Sequence, residues 1–179
     1  MKSLKALCHL PFVTASGEIV SAPGFHEETG IYANFDHEAV PTVPDAPNQA
    51  EIISAIQTAM QPWSRYRFAS PEDLAAMLAA VMTAICRPAL GTAPGFFFDA
   101  PVQSSGKTKA AAALGALVKG HRAGITPFVS GPNADTELVK KIVAMVLNGE
   151  ASSQIDNVVG LGRFPVYAAL VTEGRINER

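Results

Sequence analysis

The sequence predicts an α/β protein: a mainly parallel sheet with flanking helices, preceded by a small β-hairpin region and helices. Three observations carry this expectation. The apolar period changes from two to about three and a half after residue 47. From Gly95 onward, apolar runs of strand length alternate with helix-length segments, the order of βαβ units. The junction between the first of those strands and its helix reads Ser104-Ser105-Gly106-Lys107-Thr108.

The first part, residues 1–40, reads as extended chain. Leu10 to Thr14 and Glu18 to Ser21 flank Ala15-Ser16-Gly17, where Gly17 supplies the positive φ of a hairpin turn. Pro23-Gly24 breaks the pattern, and Gly30 to Phe35 adds a third short strand. Pro41, Pro44 and Pro47 rule out regular pairing and make residues 41–47 a linker. Residues 48–179 then form a helical lead-in and the sheet-bearing core.

In the lead-in, Ile52, Ile53, Ile56 and Met60 share one face of a helix from about Asn48 to Gln61. Ser70-Pro71-Glu72-Asp73 offers an N-cap, a first-turn proline and acidic residues suited to the positive helix end. A largely buried helix is expected behind it, Leu74 to Cys86, ending at Arg87-Pro88. Later strands are expected at Phe96 to Asp99, Ile125 to Val129 and Ser152 to Asp156. The helices between and after them should cover Lys107 to Lys119, Asp135 to Asn148 and Pro165 to Thr172.

Composition narrows the classes. With 179 residues, 48% of them hydrophobic and 17% charged, the chain is long enough for a packed core. A net charge of -2 gives no bulk attraction to phosphate backbones. Two distant cysteines, Cys8 and Cys86, suit reduced core thiols better than a disulfide scaffold. No apolar run reaches membrane-spanning length, so a soluble cytoplasmic protein is expected.

The sharpest chemical signal is Ala100-Pro101-Val102-Gln103-Ser104-Ser105-Gly106-Lys107-Thr108. Phosphate binding requires inward backbone N-H groups, a glycine permitting close approach, a lysine near the β and γ phosphates and a hydroxyl on Mg²⁺. Gly106, Lys107 and Thr108 meet the last three demands in order, so Pro101 to Thr108 are the candidate ATP-binding residues of a P-loop NTPase core. Pro101 stands where the generic pattern has its first glycine; an ordinary strand-to-helix turn is the alternative. Asp156 is the candidate acid for the Mg²⁺ side, together with Thr108. Ser152, Ser153 and Gln154 are polar for a buried strand, which leaves a simple turn at Asp156-Asn157 as the other reading. Lys107, Asp156 and Asn157 are the candidate catalytic residues, although Asn157 can orient a water but not take its proton.

With these residues on the page, the chain resembles the P-loop ATPase region of DNA primase/helicase-type proteins carried by prophages and integrative elements. The carriers are Leu10 to Val13 with Gly17, Ser21 to Phe25, Glu28 to Tyr32, Arg87 to Leu90 with Thr92 to Pro94, the loop from Ala100 to Thr108, and Asp156 to Val158. The family loop reads Ala-Pro followed by Gly-Thr-Gly-Lys-Thr or a near variant; here Ser104-Ser105 replaces the Gly-Thr pair. The resemblance implies that Lys107 binds the β and γ phosphates, Thr108 ligates Mg²⁺ and Asp156 holds the metal, with Asp156-Asn157 in place of the usual Asp-Glu pair. It also implies an ATP-driven homo-oligomer acting on DNA, single-stranded DNA among its partners. Family proteins extend further at both ends, and the strand inserted between those bearing the loop and the metal acid comes later in their sequence. The chain is therefore expected to be a piece of a longer parent.

Other constellations are weaker. Cys8, His9, His26 and His37 lack a recognised metal-ligand spacing, and His26-Glu27-Glu28 lacks the second histidine of a zinc-protease helix. Trp63, Arg65, Tyr66, Arg67 and Phe68 interleave aromatic and basic residues, suiting either a single strand or a packed helix connection. Gly160-Leu161-Gly162 reads as a loop, and Arg163, Arg175 and Arg179 as solvated surface. Besides an ATP-binding fragment of a replication ATPase, three functions remain open: a nucleotide-binding or interaction module without turnover, a non-functional remnant, and a small-molecule kinase.

Overall fold

The computed structural model describes residues 3–102, 104–120, 123–148 and 152–158. Among these residues, three small sheets and four α-helices make a mixed α/β fold. The expected helix at Pro165 to Thr172, the Gly160 to Gly162 loop and the three late arginines lie outside the described residues, as does Gln103.

The N-terminal region holds five short strands. β2 (Phe12–Val13) and β3 (Ile19–Val20) pair antiparallel around Gly17, whose φ of 87° closes the turn. β1 (Ala6–Cys8), β4 (Gly24–His26) and β5 (Ile31–Ala33) form a second sheet in the order β1-β5-β4, with β1 parallel and β4 antiparallel to β5. The Pro23-Gly24 break thus lies at the start of a strand. Phe12, Val20 and Ala33 are the buried residues of the small core between the two sheets.

Asn48 closes a reciprocal capping box with Glu51 and starts α1 (Gln49–Met60). Ser70 accepts from the Asp73 N-H, Pro71 occupies the first turn, and α2 (Pro71–Ile85) follows. In α2, Met77, Ala80, Val81 and Ala84 are buried. α1 differs from expectation: Ile52 and Ile53 are each 47% exposed, and the helix has no buried residue. Its apolar stripe is real in sequence, but α2 and the connection after α1 cover only its C-terminal end, Ala59 and Met60.

Phe96 to Asp99 is a correction to the sequence reading, because it forms no strand. Phe96 and Phe98 pack on the main core while Phe97 is 64% exposed, so the segment keeps an extended alternation. Ladder hydrogen bonds require a neighbour, and among the described residues β6 (Gly124–Pro127) and β7 (Ser153–Asp156) form a two-stranded sheet to which this segment adds no ladder. α3 (Lys107–Lys119) follows the loop, and α4 (Ala134–Leu147) joins β6 to β7, whose parallel pairing makes one βαβ unit.

The main core lies where α2, α3 and the α1-α2 connection meet. Trp63 is its largest buried residue, 1% exposed, and its Nε1-H donates to the Ala110 carbonyl inside α3 at 3.1 Å. The Trp63 to Phe68 cluster accordingly packs a helix connection, with Arg65 and Arg67 left on the exposed side. Trp63→Ala should cost about 3–5 kcal/mol of unfolding free energy, read from denaturant melts at unchanged m-value.

Candidate phosphate-binding site

Three elements bring the candidate site together: the loop from Asp99, the start of α3 and the end of β7. Gly106 caps α3 with φ 90°, a left-handed conformation that glycine adopts without a Cβ penalty. Among the described residues no side chain caps the start of this helix, unlike α1 and α2. Ser104 also turns left-handed, at φ 62°. Left-handed residues at 104 and 106 turn the loop sharply into the start of α3.

Lys107 curls back over this loop. Its Nζ donates to the Ala100 carbonyl at 3.2 Å and stands 3.9 Å from Asp99 Oδ1, with the lysine side chain 38% exposed. The ammonium thus spans from the helix start to the beginning of the loop. Pro101, Val102, Ser104 and Ser105 are all exposed along the same loop.

Thr108 points to the sheet. Its hydroxyl donates to Asp156 Oδ1 at 3.5 Å, at the long limit of hydrogen bonding. Asp156 is the last residue of β7 and its carbonyl accepts from the Phe128 N-H at 3.0 Å, which fixes the strand end. Its Oδ1 also accepts from the Asn157 N-H at 3.1 Å, and Asn157 turns left-handed at φ 59°, a conformation asparagine tolerates better than most residues. Asp156 therefore stands at a strand end beside the Thr108 hydroxyl, with a turn immediately after it.

The sequence reading missed two participants. Gln154 counted against a central strand, yet its side chain is buried and its Nε2 donates to the Thr108 carbonyl at 3.3 Å, tying β7 to the first turn of α3. Its Oε1, like the Ser152 hydroxyl, has no hydrogen-bond partner among the described residues. Tyr66 is the second. Its hydroxyl donates to the Gly106 carbonyl at 3.3 Å, and a Cβ on Gly106 would meet the Tyr66 ring at 3.1 Å. A polar run directly before a strand-end acid, Ser152 to Gln154, is the signal that marks the first, although only Gln154 of the three is buried; nothing in the sequence places Tyr66 beside residue 106.

Comparison of the chain with protein-family models, with curated proteins and with solved structures finds no match. The site must be judged on its own geometry. Among the described residues no helix is long and apolar enough to cross a membrane.

Gly106 carries two independent demands, a positive φ and the adjacent Tyr66 ring. Gly106→Ala should therefore lower stability by about 1–2 kcal/mol, whereas Ala at the open, negative-φ Gly91 should change it by less than about 1 kcal/mol. Thermal melts of the two variants side by side check the difference.

Proposed function

We propose that this chain binds a nucleoside triphosphate with Mg²⁺ at the loop from Pro101 to Thr108, as the ATP-binding part of a P-loop ATPase associated with DNA replication in a mobile element. The observation that carries the reading is the apposition of Thr108, in the first turn of an uncapped helix, with Asp156 at the end of a parallel strand. Oxygens on adjacent positions of an octahedral Mg²⁺ lie about 3 Å apart, because each bond is about 2.0–2.1 Å. The 3.5 Å between Thr108 Oγ1 and Asp156 Oδ1 fits that spacing, or a water held between acid and metal, with little movement.

The roles follow from placement. The N-H groups around Gly106 hold phosphate oxygens at the positive end of α3. Lys107 exchanges its contact with the Ala100 carbonyl for the β and γ phosphates; a point charge on a flexible stem suits this exchange. Thr108 and Asp156 hold the metal side, with Gln154 keeping the Thr108 backbone in position. Mg²⁺, when bound, neutralises charge that builds on the transferred phosphoryl group. ATP-driven action on single-stranded DNA within a homo-oligomer is the wider activity that the resemblance supports.

One observation favours a second reading, nucleotide binding without turnover. Asn157 follows Asp156 directly, and its amide cannot accept the proton of an attacking water. Under this reading the chain senses or holds nucleotide and leaves hydrolysis to other residues.

Equilibrium titration with ATP in the presence of Mg²⁺ should give saturable binding that Lys107→Ala weakens at least tenfold while the melting temperature stays within a few degrees. Asp156→Asn should leave binding of Mg²⁺-free ATP intact and remove most of the gain from adding Mg²⁺. Equal, weak binding by the unaltered chain and Lys107→Ala would remove the phosphate site. Phosphate release, with and without single-stranded DNA, separates turnover from binding alone.

A further inference from the structure

Away from the phosphate loop, the fold gathers a ligand set that no sequence spacing announces. Glu18 follows the hairpin turn, His26 ends β4, and Glu28 lies in the turn from β4 to β5. One imidazole nitrogen and one oxygen from each carboxylate all lie within 4.8 Å of one another. His26 Nε2 is 3.9 Å from Glu18 Oε2. Residues Glu18 to His26 also line a surface cleft of about 340 Å³.

The imidazole is oriented as a metal-binding histidine is. Its ring packs edge-on against the buried Phe12, centroids 6.2 Å apart at 86°. Its Nδ1 lies 3.2 Å from Thr29 Oγ1. That oxygen accepts from the Ile31 N-H, and its own proton reaches the His26 carbonyl at 3.4 Å. Thr29 is then an acceptor toward the ring, which places the imidazole proton on Nδ1 and leaves a lone pair on Nε2, the nitrogen facing Glu18.

A second observation points the same way. The two N-terminal sheets share a small apolar core, Phe12, Val20 and Ala33 with Cys8, Ile31 and Phe35 packed against it, and Cys8 is a free thiol, so no disulfide staples them. Units of this size with so thin a core usually gain stability from a cross-link or a metal. Glu18 belongs to the hairpin, whereas His26 and Glu28 belong to the β1-β5-β4 sheet and its turn. One ion would join them.

We propose that Glu18, His26 and Glu28 form a structural site for a first-row divalent transition ion, Zn²⁺ foremost, that staples the β2-β3 hairpin to the neighbouring sheet. One nitrogen and two carboxylate oxygens suit Zn²⁺ or Mn²⁺ better than an all-oxygen ion such as Mg²⁺. Tetrahedral bonds of about 2.0–2.1 Å put ligand atoms about 3.3 Å apart, so the two exposed glutamates close in by about 1–2 Å, a rotamer adjustment. Water completes the coordination.

The test uses the full chain, freed of metal with a chelator, titrated calorimetrically with zinc chloride and followed by thermal melting, with magnesium chloride in parallel and no nucleotide present. One equivalent of Zn²⁺ should bind saturably and raise the melting temperature by about 3–5 °C, while Mg²⁺ at the same concentration leaves it unchanged. Glu28→Gln, at an exposed position, should weaken Zn²⁺ binding at least tenfold and His26→Gln should abolish it. Thr108→Ala should bind Zn²⁺ as the unaltered chain does, which separates this site from the phosphate loop. Absence of a one-equivalent Zn²⁺ transition, or unchanged Zn²⁺ binding in Glu28→Gln, overturns the proposal and leaves a simple contact between His26 and Glu18.

Discussion

The first turn of α3 is held from two sides, and the candidate site depends on that grip. From the α1-α2 connection, Tyr66 donates to the Gly106 carbonyl and Trp63 to that of Ala110. From β7, Gln154 donates to the Thr108 carbonyl. The Gly106 carbonyl already accepts the Ala110 N-H within the helix, so the Tyr66 bond uses its second lone pair. The aromatic pair ties the start of the helix to the α1-α2 connection, and the glutamine ties the Thr108 backbone to β7, whose last residue is Asp156.

This grip explains why Gln154 is buried in β7 while Ser153 beside it is exposed. A strand covered on both faces is normally rich in Val, Ile and Leu. Gln154 is buried because its amide has a helix carbonyl to satisfy, a requirement that arises only once α3 packs on β7. Close approach of the helix is helped at its other end by Gly115, where a Cβ would lie 2.7 Å from the Ala123 side chain. A small residue there and a hydrogen-bonding residue in the strand serve the same purpose, bringing helix and sheet near enough for the two to share a site.

Local signals in the sequence were sufficient wherever the governing interaction is local. Asn48 with Glu51 and Ser70 with Asp73 start α1 and α2 through contacts three residues apart, and Gly17 turns the hairpin by itself. Where the interaction is distant, the pattern misled. Phe96 to Asp99 has strand composition but no partner among the described strands, and composition cannot say whether a neighbour exists. The stripe of Ile52, Ile53 and Ile56 has helical period, yet the period only states that one face is apolar, not that anything covers it. Tyr66 acts across a gap of 40 residues to Gly106, which no windowed pattern spans.

Ser104 joins the two kinds of information. The resemblance puts glycine at this position, and the backbone at Ser104 is left-handed, φ 62°, the conformation that glycine adopts freely and serine does not. A serine held there costs about 1 kcal/mol locally, while it also restricts the unfolded chain more than glycine would. The two effects oppose each other, so the loop keeps its shape with a less permissive residue. Under the proposed reading, serine at this position bears on how readily the loop adjusts around a phosphate, rather than on whether the left-handed turn can form.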